Sequence, residues 1–209
     1  MTTNGSAHTI TTLEDLEARY GQPMGASLAK ELDYVSEHYR AMIETSPFVA
    51  IASAGPEGLD CTPRGDHPGF VRVQDDKTLL IPDRRGNNRV DTLKNIIRDP
   101  RIALLFLIPG VGETLRVNGR AIISVEPDLL ASFAVDGKLP RSVLVVTVER
   151  VYFQCSKALV RSKLWDPTVQ IPRSALPSTG TMVQALSKGA IDGETYDREL
   201  PLRIPQQLW

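Results

Sequence analysis

From Phe48 to Cys155 the chain runs as a succession of short apolar or alternating segments separated by turn residues, and only two stretches within it carry a helical period. That ordering constrains the fold more than any other feature. A doubly wound α/β sheet needs a helix after nearly every strand, whereas six or more mostly antiparallel strands with few helices make a barrel or a sandwich. Phe48–Ala54 and Leu59–Arg64 read as a hairpin about Gly55-Pro-Glu-Gly58, with a loop of several residues. Phe70–Val73 and Thr78–Pro82 follow, joined by the polar turn Gln74–Lys77. Arg101–Ile108 is a buried strand by its length and β-branching. In Glu113–Val125, Leu115, Val117, Gly119, Ala121 and Ile123 alternate with Arg116, Asn118 and Arg120, which gives one apolar face. Val143–Cys155 is the last long strand. The two helical stretches are Arg89–Arg98, stopped by Asp99-Pro100, and Glu126–Val135, with proline in its first turn.

The flanks differ in kind. Residues 1–46 read as a helical extension, with one helix over Thr12–Tyr20 and a second over Leu28–Ile43. The first has a hydroxyl cap, early acids and a following Gly21. The second places Leu28, Leu32, Val35, His38, Tyr39 and Met42 on one face and ends at Ser46-Pro47. Residues 47–165 form the strand-rich domain. Residues 166–209 form a Pro-rich tail in which Thr179–Leu186 is a short helix. The tail's apolar end (Leu200, Leu202, Ile204, Leu208, Trp209) is expected to pack on the barrel or on a partner subunit.

Charge and composition exclude several classes. Twenty-four Lys and Arg against 25 Asp and Glu leave no bulk field for nucleic acid or an anionic membrane. No apolar run approaches the roughly 18–20 residues that span a bilayer. The start, Met1-Thr-Thr-Asn-Gly-Ser-Ala-His8, has neither a basic nor an apolar signal region. Cys61 and Cys155 match no metal spacing and read as free thiols of a cytoplasmic protein. No G-x-S-x-G elbow, H-E-x-x-H, C-x-x-C or phosphate-loop motif occurs, so no metal is expected and nucleophilic catalysis has little support.

Chemistry concentrates in Ile81-Pro-Asp-Arg-Arg-Gly-Asn-Asn-Arg-Val-Asp-Thr-Leu93. A strand ends, a loop carries three arginines, and a helix begins. Free N–H groups at a helix start, asparagine caps and forked guanidinium groups suit an anion, although a solvated basic loop before a capped helix has the same composition. Arg64, in Cys61-Thr-Pro-Arg-Gly-Asp66, closes another strand beside a glycine. Thr114, Arg116 and Asn118 share a strand face. Lys157 and Arg161 stand at i and i+4, with Trp165 beyond them. His67 sits among turn residues, and His38 reads as a core or rim side chain.

In order, T-P-R-G-D, L-L-I-P-D-R-R-G-N-N-R, D-P-R-I-A-L-L-F-L-I-P-G and E-T-L-R-V-N-G-R-A resemble the pyridoxamine 5′-phosphate oxidase-like FMN-binding proteins, in particular the bacterial branch with P-R-G-D and I-P-D-R-x-G-N-x-R. The resemblance runs from the second helix to about Trp165. It implies a mainly β fold with flanking helices, the FMN-binding split β-barrel, in a homodimer with flavin at the interface. By position, Thr62, Pro63 and Arg64 fall where a strand lines the flavin, and Pro82 at the end of the next lining strand. Asn88 and Arg89 fall on the phosphate-binding pair. Thr114 falls where the partner subunit approaches the ring, and Lys157, Arg161 and Trp165 where the last flavin and substrate contacts lie. The oxidase has a basic pair where this chain has Asn88-Arg89, so Arg84 or Arg85 is the expected replacement for one cation. Its R-x-H substrate motif reads Arg161-Ser-Lys163 here, which weakens pyridoxamine phosphate as the substrate. The implied activity is FMN-dependent oxidation or reduction of a small molecule, with no catalytic acid or base assigned. An F420-dependent reductase and a non-catalytic FMN carrier or sensor are the alternatives.

Overall fold

The structure is a computed structural model, and it describes residues 8–208. The start read for a secretory signal, apart from His8, and Trp209 lie outside the described residues. Contacts divide the chain into two units at Glu31/Leu32. The first holds α1 (Leu13–Tyr20) and α2 (Gly25–Ala29). Thr12 caps α1 as its hydroxyl suggested, accepting from the Asp15 N–H at 3.1 Å, and Gly21 ends it at φ 71°.

The second unit begins with α3 (Glu37–Thr45) and carries seven strands: β1 (Phe48–Gly55), β2 (Gly58–Gly65), β3 (Arg72–Val73), β4 (Thr78–Asp83), β5 (Arg101–Leu107), β6 (Thr114–Ser124) and β7 (Ser142–Gln154). They form one sheet in the order β2-β1-β5-β6-β7-β4-β3, antiparallel at every pairing. The fold is therefore mostly β. Helices α4 (Asp91–Arg98), α5 (Pro127–Ser132), α6 (Lys157–Ser162), α7 (Thr179–Leu186) and α8 (Gly193–Gln207) complete it. Among the described residues no helix is long and apolar enough to cross a membrane.

Period-2 alternation puts Val49 and Ile51, Ile102, Leu104 and Phe106, and Leu115 and Val117 on the inner face, where all are buried. Tyr39 and Ile43 of α3 and Ile96 of α4 join that core. On the other face of β4, Leu80 packs with Val143 and Phe133, and α5 contributes Leu129 and Leu130. Between Asn118 and Gly119 the register with β7 slips by one residue. Gly119 is required there, because a Cβ would lie 2.1 Å from the Thr147 carbonyl oxygen.

Several expectations need correction. Leu28–Ile43 is not one helix: α2 ends at Ala29 and α3 starts at Glu37. Between them Leu32 exchanges two backbone hydrogen bonds with Val151, at 3.0 and 2.8 Å, and Ser36 caps α3 through the Tyr39 N–H. A sheet-edge pairing thus displaces helix that the apolar spacing alone allowed. The first hairpin is tighter than expected, since Gly55 pairs with Gly58 and leaves only Pro56-Glu57 as the loop. Of Phe70–Val73 only Arg72–Val73 is strand, because the Phe70 N–H is spent in a turn to the His67 carbonyl. Thr179–Leu186 is helical as expected, but α8 is a full helix with Pro201 and Pro205 inside it. Asp192 caps it, and it packs closely on α7, where Gly180 would meet the Gly193 carbonyl if it carried a Cβ. Leu202 and Ile204 remain exposed on α8.

Candidate functional site

The ends of β2 and β4, the 84–90 loop and the start of α4 enclose a cavity of about 600 Å³. That volume lies within the roughly 300–1,000 Å³ usual for small-molecule sites. Strands β2 and β4 are far apart in the sheet order, yet Arg64 of β2 and Asp83 of β4 form an ion pair at 3.1 Å. The sheet therefore curls until its β2 edge faces β4, and the cavity sits at that meeting.

A second pair fixes the floor. Arg84 donates through Nε to Asp66 at 3.0 Å and through Nη1 to the Phe133 carbonyl at 2.8 Å. The Asp66 side chain is only 3% exposed, so this contact ties P-R-G-D to the I-P-D-R-R loop. Arg89 bonds Asp91 at 2.8 Å on an exposed surface. That hydrogen bond holds the Asp91 carboxyl below the usual carboxylate range and raises the Arg89 guanidinium. Such a contact is worth little in water and opens readily to a better acceptor.

The loop backbone is strained. Asn88 and Val90 have φ of 61° and 52°, and a β-branched residue seldom occupies this left-handed region. Strain at a site costs about 1–3 kcal/mol per residue, and its presence beside a cavity points to a constrained binding loop. Neither asparagine caps α4 as the sequence suggested. Val90 occupies the cap position with no side-chain bond, while Asn87 accepts from the Arg89 N–H and Asn88 from Arg141.

Six of the ten candidate residues are brought together here, namely Thr62, Pro63, Arg64, Pro82, Asn88 and Arg89. The other four are not. Thr114 starts β6 opposite Gln154 and is buried, Lys157 and Arg161 lie on α6, and Trp165 donates its indole N–H to the Val111 carbonyl at 2.8 Å. The last of these ties the chain beyond α6 back to the segment before Thr114. His67 is also outside the cavity lining. Among the described residues no group of three or more His, Cys, Asp or Glu is arranged to hold a metal.

Sequence reasoning missed Arg141, which lines the cavity and donates to the Asn88 Oδ1 at 2.9 Å. It also missed Gln207 and Leu208, which reach the same cavity from the end of α8. Arg141 carries no local signal, since it is an isolated arginine before a strand.

The family model for pyridoxamine 5′-phosphate oxidase matches residues 35–155. No curated protein gives a significant match. Among solved structures, HupZ of Group A Streptococcus is similar at 20% identity, over 58% of this chain and 95% of that one, with a TM-score of 0.48. A Clostridium acetobutylicum protein related to general stress protein 26 of B. subtilis, of the pyridoxinephosphate oxidase family, shares 15% identity over 56% and 86%, at 0.42. The FAD binding protein of Mycobacterium smegmatis shares 14% over 59% and 97%, at 0.42. All three likenesses are distant.

Proposed function

Because this chain belongs to the pyridoxamine 5′-phosphate oxidase family, we propose that it is an FMN-dependent oxidoreductase of the split-barrel kind, acting on a small organic molecule. The observation that carries this reading is the gathering of Thr62, Pro63, Arg64, Pro82, Asn88 and Arg89 around one cavity rich in arginine. The residues present suit the cofactor: apolar proline walls for the ring, and donors at the loop for the phosphate.

Asn88 and Arg89 hold the phosphate, with Arg89 exchanging Asp91 for the stronger phosphate acceptor. Arg64 is held in place by Asp83 and by its own bond to the Thr62 hydroxyl at 3.1 Å, which leaves it oriented along the wall before any ligand arrives. When bound, the flavin supplies the hydride chemistry, and the protein supplies position and electrostatics. No side chain is assigned as a general acid or base.

The test is the visible spectrum of the purified protein, alone and as Arg89→Ala. Flavin bands that weaken or vanish in the variant are expected. A colourless protein that takes up no added FMN sinks the reading.

We infer further that the working unit is a homodimer. Thr114, Lys157, Arg161 and Trp165 do not line the cavity of their own chain, so a second copy is the natural source of that half of the site. The outward face of β1 and β5 supports this: beside the exposed Phe48 and Arg101 it carries Ala50, Ala52, Ala54, Ala103, Leu105 and Leu107 and is largely apolar. Sedimentation is expected to give twice the 23.0 kDa of one chain. A monomer at working concentration overturns the two-chain site.

A further inference from the structure

One wall of the cavity does not come from the sheet or its loops. Gln207 and Leu208, at the C-terminal end of α8, line it together with the 84–90 loop and the ends of β2 and β4. Leu208 is 53% exposed, so an apolar side chain stands half in solvent at a place where a ligand in the cavity would cover it.

The bonds that secure α8 lie at its other end. Asp192 accepts from the Thr195 N–H at 2.8 Å, and the Gly193 N–H donates to the Gln184 side-chain oxygen at 2.9 Å. Asp197 accepts from the Gly180 N–H at 2.7 Å and from the Ser178 hydroxyl. The helix is thus pinned to α7 over 192–197. Beyond that point its ladder is weakened twice. Pro201 and Pro205 have no N–H, so the carbonyls of Asp197 and Pro201 lack their usual donors four residues on. Between these prolines Arg203 lies 4.7 Å from the centre of the Tyr196 ring, with Nε and Nη2 buried and without a hydrogen-bond partner. Buried donors left unpaired cost free energy, and a movement that returns them to water recovers it. The last turns are therefore held less tightly than the first.

We propose that α8 from Pro201 onward is a lid over the cavity of its own chain, with Gln207 and Leu208 as the covering residues and 201–205 as the hinge. This goes beyond the flavin reading, since a lid needs a ligand in the cavity but not a particular one. Open, it admits the ligand; closed, it keeps water from one side of the cavity and strengthens the polar contacts inside.

The experiment has two arms. In the first, Cys61→Ser and Cys155→Ser remove the two free thiols, and Gly86→Cys with Leu208→Cys place one on the loop and one on the lid. Both positions tolerate change, because a Cβ at Gly86 meets nothing within 4 Å and Leu208 is half exposed. A short flexible bismaleimide is expected to give an internally bridged single chain. A bridge between two chains, or no bridge, overturns a lid over its own cavity.

In the second arm, FMN uptake and release are followed by stopped-flow fluorescence. A lid gates both directions, so Gln207→Ala/Leu208→Ala is expected to raise both rate constants roughly tenfold and to leave their ratio within about threefold. The bridged protein is expected to slow both. Faster release at unchanged uptake makes the two residues ordinary contacts and overturns the lid, as do rates equal to the wild type. A wild type that takes up no flavin overturns the flavin reading alone. Amide hydrogen exchange then decides the lid beside the bridge: faster exchange over 202–207 than over 195–198 supports it, and equal protection overturns it.

Discussion

Replacing Arg84 by alanine is expected to lower the unfolding free energy by about 3 kcal/mol, while the same change at the adjacent Arg85 leaves it within about 0.5 kcal/mol. The contrast follows from their partners. Arg84 is 15% exposed and neutralises an Asp66 side chain that is 3% exposed. Its loss strands a buried carboxylate and removes the donor to the Phe133 carbonyl. Arg85 is exposed and bonds nothing among the described residues. Urea denaturation decides the matter, through a shift in midpoint at constant slope. Equal midpoints for the two variants remove the distinction between a structural and a ligand-facing arginine in Arg84-Arg85.

Gly119→Ala is expected to cost about 3 kcal/mol or more, at the upper end of what overpacking does in a core. The added Cβ would sit 2.1 Å from the Thr147 carbonyl oxygen and 3.1 Å from its carbon. Those atoms are backbone of a central strand and cannot rotate aside as a flexible side chain does. The register slip at Asn118/Gly119 would have to close or β6 would have to part from β7. Gly86→Ala is the control, because a Cβ there meets nothing within 4 Å and its effect is expected to stay within about 1 kcal/mol. Thermal melts of the two variants give the comparison. A Gly119→Ala protein that melts with the wild type overturns the account of the bulge.

Much of the site was legible because its parts are local. Arg64 beside Gly65 and the Arg-Gly-Asn-Asn-Arg loop are contiguous runs, and strand ends announce where their side chains emerge. Arg141 was not legible, since it stands 53 residues from Asn88 and its role depends on the pairing of Asp83 with Ser142. The same limit hid α8. Proline lowers the helical tendency of 193–207, and what supports the helix is its cap at Asp192 and close packing on α7 through Gly180. Leu28–Ile43 erred in the opposite direction. Its apolar spacing suits a helix, but the backbone of Leu32 finds its hydrogen bonds on Val151.

By itself, the sequence determined that this protein is mostly antiparallel β, which residues of β6 share its apolar face, and that an anion-compatible loop follows β4. Alternation and turn chemistry are properties of neighbouring residues, so they can be read along the chain. Only the tertiary structure decided the strand order β2-β1-β5-β6-β7-β4-β3, the meeting of β2 with β4, and which arginines already have a partner. Those depend on which distant segments close on one another, and an arginine looks the same in sequence whether a buried aspartate holds it or it stands free for a ligand.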